Sequence, residues 1–370
     1  MNVAPGYGER ITIPINKPAV KPGAEYWLLL SCRLREGTLW ADEGHEIAWE
    51  QFPIPWNIPS EASIDVADMR ELKASEKEDS IEIAGEDFGI EFSKKEGTIT
   101  SYLYSGVELV RSGPIPHLWR APTDNDRGNG MPERCGIWRY AGRDRKILNV
   151  EMEALAPQVV RITVECALAA NDSPYTTIYT VCGSGDVFVE GRFEPRGTLP
   201  ELPRFGMQMT LPPAFDSVVW YGRGPHETHW DRKENARVGM YAGSVQEQFV
   251  DYSKPQENGN KTDVRWVALR DERGVGLMAI GMPLLSISAR HYTTEGLEQA
   301  SHSYKLAWQP YVLLNIDYKQ MGVGGDNSWG ARPHDWCTLW PQPYTYSFRL
   351  KPLSSEDADL MLLSQQRITF

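Results

Sequence analysis

The feature that most limits what this chain can fold into is a long succession of short apolar or alternating runs, each closed by turn residues, with no extended helical period anywhere. Ile81/Ile83 and Phe88/Ile90/Phe92 alternate, Lys94-Lys95-Glu96-Gly97 makes a turn, and Thr98–Tyr104 returns as a second arm. Similar runs recur at Val159–Leu168, Thr176–Val181, Val187–Phe193, Gly206–Leu211, Val264–Leu269, Gly276–Ile280, Leu284–Ser288, Tyr311–Ile316 and Tyr344–Leu350. Many short strands without intervening helices predict an all-β, antiparallel sandwich rather than a parallel α/β sheet. Two short helices are expected, over Pro132–Tyr140 and over Ser355–Leu363, the second opened by a serine cap with Glu356 and Asp357 in its first turn.

The N-terminal part reads differently. Glu25–Leu34 and His45–Phe52 are strand-like, and the first 55 or so residues hold about three strands. An immunoglobulin-like sandwich needs roughly seven in about 100 residues. Residues 1–58 are therefore expected to form part of such a sandwich: either the chain is a fragment, or another polypeptide supplies the missing strands. The proline-rich Pro53–Ser60 and the charged Arg70–Asp79 suggest a linker over 59–79, with the large sandwich at 80–370.

Composition narrows the function classes. The 370 residues carry a formal net charge of −12, which disfavours nucleic acid and anionic membranes as partners. No apolar run reaches the roughly 18 residues of a membrane span, and the N-terminus has neither a basic nor an apolar leader region. Five scattered cysteines form no CxxC pair and read as reduced thiols of a cytoplasmic protein, without a zinc site. The 13 Trp and 16 Tyr are mostly core, yet one or two could grip a sugar, whose ring offers apolar C–H groups to an aromatic face.

Two patterns are decoys. His226-Glu-Thr-His229 spaces its histidines by three and follows Gly-Arg-Gly-Pro, so it is no zinc helix. The glycines of Gly274–Gly276 and Gly322–Gly325 make no GxGxxG and belong to no strand–helix unit.

Five segments, in order, carry a resemblance. They are Trp119-Arg-Ala-Pro-Thr-Asp-Asn-Asp-Arg-Gly128, Trp220-Tyr-Gly-Arg-Gly-Pro-His-Glu227 with Asp231-Arg232, and Pro255-Gln-Glu-Asn-Gly-Asn-Lys-Thr-Asp-Val-Arg-Trp266. Leu314-Asn-Ile-Asp-Tyr318 and Met321-Gly-Val-Gly-Gly-Asp-Asn-Ser-Trp-Gly330 complete the set. Together they are similar to the last domain of family 2 β-galactosidases. Upstream, Trp40–Trp49 resembles the end of the immunoglobulin-like domain that precedes it in that family. The resemblance implies a galactose-mutarotase-like supersandwich over about Ile81 to Leu350. It also implies that a TIM barrel outside this chain bears the two catalytic glutamates and the metal ions. Retaining hydrolysis needs two carboxyls about 5–5.5 Å apart, and no βα alternation here could build that barrel. No catalytic residue, metal ligand or cofactor is therefore expected in this chain. Its expected partners are the barrel domain or large subunit and a galactoside substrate, with an oligomer once the protein is complete.

Site residues follow by the same route. The family's tryptophan in Gly-Gly-Asp-x-Ser-Trp stacks on the sugar, which makes Trp329 the leading substrate-binding candidate. From local chemistry alone a core tryptophan is the better reading. Gly322, Gly324 and Gly325 permit the tight turn that projects such a ring. Asp326 and Asn327 are further substrate-binding candidates, equally suited to capping the turn. Arg120, Asp124, Asn125, Asp126 and Gly128 would belong to a loop at the active-site mouth; Arg120 could equally be buried against a carboxylate. Gln256, Glu257, Asn258 and Asn260 could meet a substrate or a neighbouring subunit, but a structural turn is the better reading. Two other functions stay open, a stand-alone carbohydrate-binding module and an aldose epimerase, the latter needing a His and a Glu on the concave face.

Overall fold

The computed structural model describes residues 3–56, 58, 63–327 and 330–370. The chain divides into two units, Met1–Ser63 with Gln365–Arg367, and Ile64–Ser364 with Ile368–Phe370.

The smaller unit contains, among the described residues, one hairpin. Trp27–Arg33 pairs antiparallel with Glu46–Pro53, setting Trp27 opposite Pro53 and Ser31 opposite Trp49. Leu29, Ile47 and Phe52 stay exposed on it. Among the described residues neither strand of the hairpin pairs with a third.

The larger unit is built on antiparallel strands. Its main sheet has 12 strands among the described residues, and Gly276–Arg290 explains how it curls. The first half of this 15-residue strand, Gly276 to Met282, pairs with Tyr344–Leu353. The second half, Ser286 to Arg290, pairs with Val312–Gln320. Pro283 stands between the halves, where a residue without an N–H loses least because the ladder is changing partner. The sequence expectation of two separate strands here becomes one bent strand.

The two branches diverge from that bend. One runs through Tyr344–Leu353, Val187–Phe193, Ser173–Cys182 and Val159–Leu168 to Lys146–Ala156. The other passes from Val312–Gln320 to Arg204–Leu211 and Ser112–His117. Lys261–Arg270 runs along the other side of the bent strand and pairs with both halves, and Ser217–Gly224 and Arg237–Ser244 continue the sheet beyond it.

A five-stranded sheet covers part of this one, from Lys73–Glu76 through Ser80–Ala84, Phe88–Ser93 and Thr98–Tyr104 to Val107–Glu108. Register sets Ile81 opposite Phe92 and Ile83 opposite Ile90, so all four point to one face and are buried. Each such side chain contributes about 1.5–3 kcal/mol by leaving water. Phe92 meets Tyr179 of the large sheet edge-on at 5.2 Å, which joins the sheets in one core. Lys73–Glu76 lies inside the span expected as linker. It is a wholly exposed edge strand, so pairing rather than burial defines it.

Lys146–Ala156 and Arg237–Ser244 escape the sequence for that reason, since they end their sheet paths, where one-sided solvation relaxes the alternation. Ser112–His117 and Ser217–Gly224, which are mostly buried or half-buried, escape it as well. The expected helix at Pro132–Tyr140 is a short α-turn, Met131–Arg134, followed by a 3₁₀ turn, Gly136–Trp138. The expected Ser355–Leu363 helix starts later, as Leu360–Gln365. Asp359 accepts from Leu362 N (2.9 Å) at its start, while Ser354 and Asp357 hold a separate turn, with Ser354 N donating to Asp357 Oδ2 at 2.7 Å. No helix among the described residues is long and apolar enough to cross a membrane.

Candidate functional site

Four of the sequence segments meet at one end of the large unit, where strands Ser112–His117, Ser217–Gly224 and Val312–Gln320 run out into loops and Lys261–Arg270 begins. They enclose a cavity of about 200 Å³, lined by Asp124 and Asn125 from the first, Glu227 and Arg232 from the second, Gln256 and Glu257 from the third, and Val323 from the last. The fifth, Leu314–Tyr318, lies in the strand beneath.

The first segment forms a short helix, Asp124–Gly128, rather than an irregular turn. A capping box opens it: Thr123 Oγ1 accepts from Asp126 N (3.1 Å) and Asp126 Oδ2 accepts from Thr123 N (2.9 Å). Arg120 is fully buried and grips the same carboxylate with two donors, at 3.0 and 2.7 Å. Its remaining donors go to the carbonyls of Gly322 (2.9 Å) and Met321. Asn125 Nδ2 donates to Val323 O at 3.0 Å, and Asp231 accepts from Val323 N (3.0 Å) and Gly324 N (2.8 Å). A Cβ at Gly322 would stand 2.7 Å from the Asp231 carboxylate, so only glycine lets the backbone approach it this closely.

Three side chains from two other segments thus clamp the base of the glycine-rich loop. Its far end returns to the first segment, since a Cβ at Gly330 (φ +114°) would lie 3.1 Å from Gly128 O. Asp326 Oδ1 sits 2.8 Å from His334 Nε2, both exposed, and Asn327 Oδ1 accepts weakly from Ala331 N (3.4 Å). Trp329 and Ser328 lie outside the described residues. Asp124 is half of a pairing with Gln256, which accepts from Asp124 N at 3.1 Å.

The floor of the cavity is ionic and dry. Glu257 is buried between Arg204 (2.7 Å) and Arg290 (3.1 Å) and also accepts from Gln320 Nε2 (3.3 Å). Burial opposes its charge, but the two guanidinium groups outweigh burial and hold the carboxyl at about 2. Arg204 also lies 3.0 Å from Asp317 Oδ2, and burial lifts that carboxyl to about 7 against the pull of Arg204. Gly206 is required alongside: a Cβ there would stand 2.1 Å from Asp317 Oδ1. His117 Nδ1 lies 3.0 Å from Arg204 Nη1, and burial followed by that charge drives its pKa well below the ordinary histidine value.

Glu257 was expected in a structural turn; it is instead the centre of the buried network that supports the site. The interleaving of polar residues with strand positions, as in Arg204, Gln208, Asn315 and Asp317, was the available signal.

A second glutamate, Glu227, lines the cavity beside His229. Glu227 accepts from Gly259 N (2.8 Å), from Tyr252 and from Arg232, and is held below the usual carboxylate range; burial opposes that, while His229 and these hydrogen bonds prevail. Both glutamates on the cavity are therefore held in their ionised form and engaged by partners within the chain. His229, between Glu227 and Arg232 in sequence, is buried and pushed down to about 4 by that burial, so it stays neutral. Among the described residues no group of His, Cys, Asp and Glu is arranged to hold a metal ion.

Comparison with known proteins adds the family context. Residues 84–350 match the model described as β-galactosidase small chain, and residues 1–55 match that of β-galactosidase domain 4. The chain is similar to the β-galactosidase of Priestia megaterium (strain DSM 319 / IMG 1521), with 41% identity over 360 residues, 95% of this chain and 34% of that protein. It is 32% identical to the β-galactosidase of Streptococcus thermophilus over 350 residues, 94% of this chain and 34% of that protein. The chain spans about a third of the length of these relatives. Among solved structures, galactose 1-epimerase from Lactobacillus acidophilus superposes with a TM-score of 0.38 and 9% identity, covering 76% of this chain and 97% of that one.

Proposed function

From the premise that this chain belongs to the β-galactosidase small-chain family, we propose that it is the C-terminal part or small subunit of a family 2 β-galactosidase. It works in the cytoplasm with a barrel domain or large subunit that supplies the two catalytic carboxylates and the metal ions. The substrate is a terminal β-galactoside of the lactose type, and the complete protein is an oligomer. Residues 1–58 are the end of an immunoglobulin-like domain and 80–370 form the supersandwich. This chain contributes one wall of the sugar site. The observation that carries the reading is the meeting of four family segments on one cavity whose carboxylates are all committed to structural partners. Such a cavity can hold a loop in place for a site completed elsewhere, and cannot cleave the bond itself.

The isolated chain should therefore show no turnover of a nitrophenyl galactoside at any pH. Turnover should emerge when a barrel-bearing polypeptide is added and saturate as the two become equimolar. Activity of the purified chain alone, proportional to its concentration, would overturn the reading. A mutarotation assay on the same sample should also stay at the spontaneous rate, and catalysis above it would favour the aldose-epimerase reading.

Trp329 is the sugar platform in this reading, carried on the clamped glycine loop. Losing about 80 Å² of apolar contact at ~25 cal/mol/Å² corresponds to about 2 kcal/mol, or ~30-fold in binding. In the assembled enzyme Trp329→Ala should raise KM by about that factor with kcat nearly unchanged, and Trp329→Phe should recover part of it. A normal KM combined with a large fall in melting temperature would instead mark Trp329 as core.

A further inference from the structure

A second cavity, of about 290 Å³, adjoins the first, and Arg232 lines both. Its walls are two tryptophans far apart in sequence. The rings of Trp230 and Trp336 meet edge to face, with centroids 6.5 Å apart and planes at 87°. Trp230 packs against the core, and Lys319 Nζ lies 4.1 Å from its ring centroid. Trp336 is 60% exposed although it sits in the 3₁₀ turn Asp335–Cys337, whose neighbouring Cys337 is buried. The turn is thus anchored while its indole faces solvent.

A single exposed aromatic needs no explanation. Three properties coincide here. The surface is concave, it offers one open indole face with a second indole as a side wall, and Arg232, Lys233, Glu234 and Asn235 form its rim. The cations of that rim are already compensated, Arg232 by Glu227 and Lys233 by Asp263 at 3.0 Å, which leaves little net charge to attract an anion. A neutral ring with an apolar face and hydroxyls around its edge suits all three, and that describes a pyranose.

We propose that the Trp230–Trp336 cavity is a second sugar subsite, taking a pyranose unit of an oligosaccharide whose neighbouring end lies at the cavity of Asn125, Glu227 and Glu257. Trp336 is the stacking platform and Trp230 the wall that sets the ring's orientation. The inference rests on the reading of the first cavity as one wall of a galactoside site. It adds that the chain prefers galactosides longer than a disaccharide.

The test is a titration of the full 370-residue chain, labelled with nitrogen-15 at its indoles, with galactose, lactose and a β-1,4-linked galactotriose. Trp230→Phe and Trp336→Phe assign the two signals. The trisaccharide should shift both indoles in a saturable way, and Trp336→Ala should raise its Kd about 10-fold, a difference of about 1.4 kcal/mol. Because Trp336 is exposed, the variant should keep the parent's melting temperature, and Trp336→Phe should retain part of the affinity. If the trisaccharide leaves both signals in place, or if Trp336→Ala binds it as tightly as the parent does, the subsite is refuted. The reading of the first cavity would survive that result, because it is decided by turnover with a barrel-bearing partner.

Discussion

Glu257→Gln should cost about 3–5 kcal/mol of folding stability, the loss typical of removing one partner from a buried ion pair. The carboxylate is buried with Arg204 at 2.7 Å and Arg290 at 3.1 Å, so glutamine leaves two guanidinium groups facing a neutral amide in a dry interior. For a unit of this size, a loss of that magnitude lowers the melting temperature by about 5–8 °C. The sign of the pH dependence follows from the depressed acid. Glu257 sits at about 2 in the folded chain against an ordinary 4.5, so its contribution is fully present above about 4.5 and is lost as pH falls toward 2. The share of the stability gap that comes from Glu257 itself should therefore be constant above about pH 4.5 and shrink below it. Asp317 should partly compensate, since with Glu257 gone Arg204 is no longer shared and the Asp317 carboxyl should ionise more readily than its present value of about 7 implies. Urea unfolding of both proteins between pH 3 and 7 checks each point. A variant as stable as the parent at pH 7 would mean that water or relaxation already satisfies the arginines.

Arg120→Ala should be comparably damaging, and its effect should spread to the loop that carries Trp329. Asp126 would remain only 1% exposed with no countercharge, keeping its bonds to Thr123 alone. The carbonyls of Met321 and Gly322 would lose their donor, at about 1–3 kcal/mol for each buried group left unsatisfied. The amides of Val323 and Gly324, now bonded to Asp231, should exchange faster with solvent, because the clamp loses its opposite jaw. Arg120→Lys should fall between the two, restoring charge but not the paired bonds to Asp126. A role for Arg120 in touching sugar predicts another pattern, a raised KM in the assembled enzyme with an unchanged melting temperature. Measuring both quantities on Arg120→Ala decides, and an intact melting temperature would remove the clamp from the account of this site.

The sequence by itself determined the class of fold and which segments meet at the candidate cavity. Alternation at Ile81/Ile83 and Ile90/Phe92 is a local property, because side chains two apart share a face whatever the strand pairs with, and the structure buries these four together. The segments at Trp119–Gly128, Trp220–Arg232, Pro255–Trp266 and Met321–Gly330 were each legible through their resemblance to the family. Edge strands such as Lys146–Ala156 were not legible, because a half-solvated strand is held by backbone pairing, which leaves little mark on residue type. What only the tertiary structure decided is which carboxylate answers which cation. Glu257 lies 53 residues from Arg204 and 33 from Arg290, and Arg120 reaches carbonyls some 200 residues away. Nothing local distinguishes such a glutamate from one on a solvated turn. The difference is the solvent it loses when distant strands close over it, and that energy exists only once the whole sheet has curled.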